Sequence, residues 1–312
     1  MRRGHIVVLG SINEDYSLEV ARRPAAGETV GGAVLRTGPG GKGANQAVAA
    51  ARMGGDVELV GRVGDDAAGR ALLSALAGEG VGVAAVRAVP LRTGVAVVAI
   101  TPDGENSIIV APGANWESAG IGTDLEAAGV GRASILVSQL ELPIATFRTA
   151  VSLAGEDTAV LLNAAPGMAV PPELLAEVDL LVVNEGEATA VLAGLSAGYE
   201  PSGAMVGDPT RIAAALAEAV RGAAVVTLGA RGAAVAAGAR AWIEAAPPVI
   251  PLDTTGAGDL FVGTLAASLA SADTKRAARS ADAMAEAVRR SVRAATDSVT
   301  TAGTWASFGA AQ

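Results

Sequence analysis

Ile6-Val7-Val8-Leu9-Gly10-Ser11-Ile12-Asn13-Glu14-Asp15 is the stretch that decides the fold. Its first four residues are an unbroken apolar run ended by glycine, the pattern of a strand buried on both faces of a parallel sheet. The polar residues behind it fall at the strand's carboxyl end, where open α/β sheets hold their ligands, so Asn13 and Asp15 are candidate ligand contacts. Turn chemistry would use the same two residue types. Working outward, comparable runs recur at 57–60, 135–137, 160–162, 180–183 and 225–227. Helical spacing appears between them, as at Leu72, Leu73 and Leu76 after Gly64-Asp65-Asp66. The alternation predicts an α/β fold with a mostly parallel central sheet. Residues 195–209, rich in Gly, Ser and Pro, predict a surface loop.

Bulk properties narrow the function. At 312 residues the chain suits one large domain, 1–312, with an appendage. Hydrophobic residues make up 51% and aromatics only 3%, so the interior is built from Ala, Val and Leu. A net charge of −9 argues against nucleic acid and anionic membrane as partners, since both need a cationic surface. Cys is absent and His5 is the single histidine, which leaves thiolate metal sites, zinc hydrolysis and Ser-His-Asp chemistry without parts. No uncharged apolar run approaches the roughly 18 residues of a membrane span, and the run after Arg2 and Arg3 is too short for a signal sequence. The expectation is a cytoplasmic protein handling small molecules.

Two stretches interrupt the α/β rhythm. Residues 28–37 carry a weak strand signal among glycines, and residues 93–100 and 106–110 flank a turn at Asp103-Gly104, which predicts a β-hairpin. Together they predict a small β-sheet from about 28–38 and 92–112. Such a sheet could act as a lid over a cleft and pair with a second subunit.

Two glycine loops carry the chemistry. In Gly38-Pro39-Gly40-Gly41-Lys42-Gly43-Ala44-Asn45-Gln46, residues Gly38, Gly40 and Gly43 satisfy G-x-G-x-x-G formally, the basis for an NAD-dependent oxidoreductase as a reading from another class. That pattern belongs in the first βα unit directly after a strand, and here a β excursion intervenes. A Walker A loop would need Ser or Thr where Gly43 follows Lys42. What is left is a glycine loop at a helix start that admits a hydroxylated ligand, with Lys42 and Asn45 as hydrogen-bond donors. In Asp253-Thr254-Thr255-Gly256-Ala257-Gly258-Asp259 the glycines let amides point outward where a helix begins, a ready phosphate site. Asp259 then reads either as a capping residue or as a general base beside an anion hole.

The chain resembles the ribokinase-like carbohydrate kinases from Gly10 to about Ser307. Gly10-Ser11-Ile12-Asn13-Glu14-Asp15, the Gly40 to Gln46 loop and the Asp253 to Asp259 loop carry the resemblance. Thr93-Gly94-Val95, Gly113-Ala114-Asn115, Gln139-Leu140-Glu141, Asn184-Glu185-Gly186-Glu187 and Thr227-Leu228-Gly229-Ala230-Arg231-Gly232 support it. The resemblance implies a three-layer α/β/α fold and ATP-dependent phosphorylation of D-ribose at its primary 5-hydroxyl. Asn13, Asp15, Gly41, Lys42, Asn45 and Glu141 would hold the sugar together with Asp259, the catalytic base. Amides of Gly256, Ala257 and Gly258 would form the anion hole. Asn184 and Glu187 match the motif that organises Mg2+, usually through water, and Thr227, Gly229 and Gly232 match the nucleotide loop. Asp253, Thr255, Ser298, Thr301, Gly303 and Ser307 match the positions that bind a monovalent cation, K+ being expected, and a homodimer through the lid is implied.

Three departures stand out. Trp305-Ala306 replaces a more usual polar residue and proline, Ala164 stands where proline is frequent, and the chain stops at Gln312 without the usual terminal helix. Another sugar or a nucleoside as substrate, and a sugar-responsive binding protein without catalysis, are the remaining alternatives.

Overall fold

A computed structural model describes residues 4–102, 106–195, 207–270 and 273–309. Most of the loop expected at 195–209, and the turn at Asp103-Gly104, lie outside the described residues. Numbered along the chain, the strands are β1 (His5–Leu9), β2 (Asn13–Glu19), β3 (Val34–Gly40), β4 (Asp56–Gly64), β5 (Val86–Val89), β6 (Gly94–Ile100), β7 (Asn106–Ala111), β8 (Ile135–Gln139), β9 (Ala159–Asn163), β10 (Leu180–Asn184), β11 (Ala223–Thr227), β12 (Ala233–Ala237) and β13 (Arg240–Glu244).

Nine of them form one sheet in the order β13-β12-β11-β10-β9-β8-β1-β4-β5. It is parallel from β11 to β5, with β12 and β13 added antiparallel at one edge. Period-two alternation sends Ile6 and Val8 of β1 into one apolar cluster and Val7 and Leu9 into the other. Helices cover both faces, giving the expected three layers. Among the described residues no helix is long and apolar enough to cross a membrane.

The remaining four strands form a separate sheet, β3-β2-β6-β7. Its make-up differs from the sequence expectation. Residues 28–33 form no strand, and the first edge strand is Val34–Gly40. The unanticipated β2 lies inside the sheet, antiparallel to β3 and parallel to β6. Its sequence, Asn13-Glu14-Asp15-Tyr16-Ser17-Leu18-Glu19, carries no apolar alternation because its residues beyond Asn13 are only half-buried or exposed. β12 was also hidden, since Ala233-Ala234-Val235-Ala236-Ala237 has helical composition and becomes a strand through pairing with β11 and β13.

Candidate active site

The order of the main sheet reverses at β1. From it the chain proceeds to β4 on one side, whereas β8 to β11 build outward on the other. Carboxyl ends diverge at such a switch point and leave a crevice. Gly10, just past β1, lies against the glycine loop so closely that a Cβ on Gly43 would be 2.4 Å from the Gly10 Cα. Gly41 turns the chain with φ 89°, and Ala44 N donates to the Ser11 carbonyl at 2.9 Å. The helix Lys42–Arg52 therefore starts at the crevice, with Lys42, Asn45 and Gln46 in its first turns. Gly38 and Gly40 belong to β3 of the side sheet, so the formal dinucleotide pattern is not a βα turn of the main sheet.

From the opposite direction comes the helix Ala257–Leu269, begun by Gly256 at φ 78°. It packs tightly on Lys42–Arg52 because Gly263 has no side chain; a Cβ there would lie 2.4 Å from the Ala49 Cβ. This approach brings Asp259 within reach of two amides. Asn45 Nδ2 donates to its Oδ2 and Gln46 Nε2 to its Oδ1, each at 2.9 Å. Gln46 is itself fixed: it accepts from Gln139 Nε2 at 2.7 Å, and its Nε2 also donates to Asn163 Oδ1 at 3.0 Å. Burial raises the Asp259 pKa above the ordinary carboxylate range, opposed by Lys42, Asn45 and Gln46. A carboxylate raised in this way is a better proton acceptor than a fully solvated one.

The sugar-side candidates converge on the same crevice. Ser11 Oγ donates to Glu141 Oε2, which also accepts from Lys42 N at 3.1 Å. Asp15 is raised to about 7 by burial first and then by Glu141 and Asp259, with Lys42 opposing. Burial alone would lower the Lys42 ammonium, but the surrounding Asp259, Glu141, Glu187 and Asp15 raise it. Asn13 is held by a residue to which sequence reasoning had given no role. Asn115 accepts from Ile12 N at 2.9 Å and donates to Ile12 O and to Asn13 Oδ1, tying the exit of the side sheet to its entry.

Beyond Asp259 lies a cavity of about 510 Å3 lined by Thr227, Gly229, Gly232, Ala257, Gly258 and Phe261 among others. Another cavity, of about 440 Å3 near Arg221 and Arg240, opens beside Gly222 before β11, at the other end of the sheet from the crevice. Asn184 and Glu187 form a reciprocal capping box on the helix Glu185–Leu195, each backbone N–H donating to the other's side chain at 2.8 Å. Burial raises Glu187 as well, against the pull of Asn184 and Lys42.

Asp253 joins the two segments expected to hold a monovalent cation. It accepts from Thr255 N and Gly303 N, both at 2.9 Å. Ser298 O accepts from Thr301 N at 3.1 Å, and Ser307 Oγ donates to Thr304 O at 2.8 Å. The set is entirely oxygen-bearing, which suits a hard cation. Ala257 N donates to Thr254 O at 3.3 Å, so one of the three proposed anion-hole amides already takes part in a turn.

A buried carboxylate at a helix start thus lies in the switch-point crevice of a three-layer fold, with a second sheet alongside. Residues 3–303 match the model of the pfkB family of carbohydrate kinases, and the chain belongs to that family. It is 34% identical to the ribokinase of Haemophilus influenzae over 269 residues, 86% of each chain. Against the ribokinase of Schizosaccharomyces pombe it is 36% identical over 278 residues, 85% of each. An Arabidopsis thaliana ribokinase solved with ribose and ATP superposes with a TM-score of 0.82 at 31% identity, covering 99% of this chain and 96% of that one.

Proposed function

We propose that the protein catalyses ATP-dependent phosphorylation of D-ribose at its 5-hydroxyl, giving ribose 5-phosphate and ADP. The observation that carries the reading is Asp259: a carboxylate oriented by Asn45 and Gln46, between the sugar-side residues and a cavity that reaches its own helix start. The curated relatives named ribokinase, and the neighbour that holds ribose and ATP, support the choice of sugar.

In this scheme Asn13, Asp15, Gly41, Lys42, Asn45 and Glu141 bind the sugar hydroxyls and present the 5-hydroxyl to Asp259. Asp259 takes its proton as the oxygen attacks the γ-phosphorus in line, and ADP leaves carrying the bond's electron pair. Amides of Gly256, Ala257 and Gly258 stabilise charge on the transferred phosphoryl group. The cavity with Thr227, Gly229 and Gly232 receives the nucleotide. Glu187, held by Asn184, is the carboxylate that would help to hold Mg2+ through water, the ion neutralising phosphate charge. Asp253, Thr255, Ser298, Thr301, Gly303 and Ser307 would hold K+ and keep the anion-hole loop in shape. A cytoplasmic setting, where ATP is supplied, and a homodimer through the side sheet complete the proposal.

Purified protein with ATP, Mg2+, K+ and a panel of pentoses, hexoses and nucleosides tests it, with ADP release as the readout. Ribose should give the highest kcat/KM. Release of ADP with another member of the panel but no pentose would reassign the substrate.

A further inference from the structure

We infer that Trp305 is a positioning residue for the proposed base, acting through Asn45; this rests on the kinase reading above. Trp305 Nε1 donates to Asn45 Oδ1 at 2.8 Å, and the other end of that amide donates to Asp259 at 2.9 Å. Both partners have a single hydrogen-bonding sense. An indole N–H only donates and an ionised carboxylate only accepts, so together they admit one orientation of the Asn45 amide. Asn45 without the indole could turn its oxygen towards Asp259, exchanging an attraction for a repulsion.

The indole is itself anchored. Trp305 lies in the short helix Thr304–Ser307 and is 8% exposed within the larger apolar cluster. Arg52, seven residues beyond Asn45 and so on the same face of its helix, donates to the Trp305 and Phe308 carbonyls and pairs with Glu79 at 2.7 Å. Gly303, immediately before this turn, donates to Asp253 of the loop that leads to Asp259. Trp305 thus falls where it can orient the proposed base through Asn45.

The test compares Trp305→Phe, which keeps the ring and loses the donor, with Trp305→Gln, which keeps an N–H donor at comparable reach. At saturating sugar, Trp305→Phe should lower kcat about tenfold while leaving KM for ATP unchanged. Its acid limb in kcat against pH should move upward, because a donor favouring the charged carboxylate is lost. Lys42, Gln46, Glu141, Asp15 and Glu187 also face Asp259 and are common to every variant. Trp305→Gln should recover most of both effects. Normal kcat with an unmoved limb in Trp305→Phe overturns the inference, as does equal loss in both variants, which assigns the effect to packing.

A readout independent of turnover is the 15N side-chain amide pair of Asn45, assigned by its absence in Asn45→Asp. It should shift in Trp305→Phe and return in Trp305→Gln, and an unmoved pair also overturns the inference. A wild-type protein that phosphorylates no sugar would defeat the kinase reading, while this spectrum would still report on the Trp305–Asn45 bond.

Discussion

At the scale of single residues, Asp259 combines a place in the first turn of one helix with two amide donors from another, Asn45 and Gln46. Asp259→Asn should retain sugar binding by calorimetry and lose kcat by about three orders of magnitude or more, since base and charge are removed together. Near-normal turnover would defeat its role as base. Asp15 makes a separate prediction. Burial, then Glu141 and Asp259, raise it to about 7, so the free protein carries a partly protonated Asp15 near neutrality. In the proposed scheme ionised Asp15 accepts from sugar hydroxyls, so KM for the sugar should fall as pH rises through that value, by up to about tenfold per unit on the acid side. Asp15→Asn should weaken binding and flatten the profile; an unchanged slope would remove Asp15 from sugar recognition. Carboxylates and glycines were legible because their chemistry is local. The Gln139–Gln46 and Trp305–Asn45 bonds join residues 93 and 260 positions apart, and no local pattern marks such pairs.

At the scale of elements, the close crossing of the helices Lys42–Arg52 and Ala257–Leu269 holds the site together. Gly263→Ala would place a methyl 2.4 Å from the Ala49 Cβ and 2.6 Å from the Gln46 carbonyl, and backbone cannot yield there cheaply. The variant should lose about 1–3 kcal/mol by denaturant titration, with kcat reduced as Asn45 and Gln46 draw back from Asp259. Wild-type stability and turnover would show that the crossing is not what sets their reach. A second joint ties the side sheet to the main body. Asp66 caps the helix Ala67–Gly78 through Gly69 N and binds Thr93, just before β6, by both N–H and hydroxyl. Burial pushes Asp66 up, but these bonds outweigh it and hold the group at about 2. Its contribution is therefore present above the ordinary carboxylate pKa and is lost as pH falls from there towards about 2. Asp66→Ala should cost about 1–2 kcal/mol at neutral pH, and the difference from wild type should shrink in acid. A difference independent of pH would contradict this account.

For the whole molecule, the side sheet leaves apolar residues on both edge strands: Val34 and Leu35 are 50% and 55% exposed, and Ile109 is 73% exposed. Exposed apolar edges of this kind favour pairing with another copy, which is the physical argument for the proposed homodimer. Sedimentation at micromolar concentration should give twice the chain mass, and Ile109→Lys should shift the protein to monomer; a wild-type monomer would end that proposal. The sequence by itself determined the layered α/β architecture, because alternating apolar runs and helix-period segments leave few other ways to bury both faces of a sheet. It also determined the glycine loops and their neighbouring polar groups, since conformational freedom and hydrogen-bonding capacity are properties of the residues themselves. Tertiary structure alone decided that β2 pairs inside the side sheet, that alanine-rich β12 is a strand, and that Gln46, Asn115 and Trp305 orient the groups that face the crevice. Each depends on partners brought together only when the chain closes, so its free energy belongs to a contact and not to a segment.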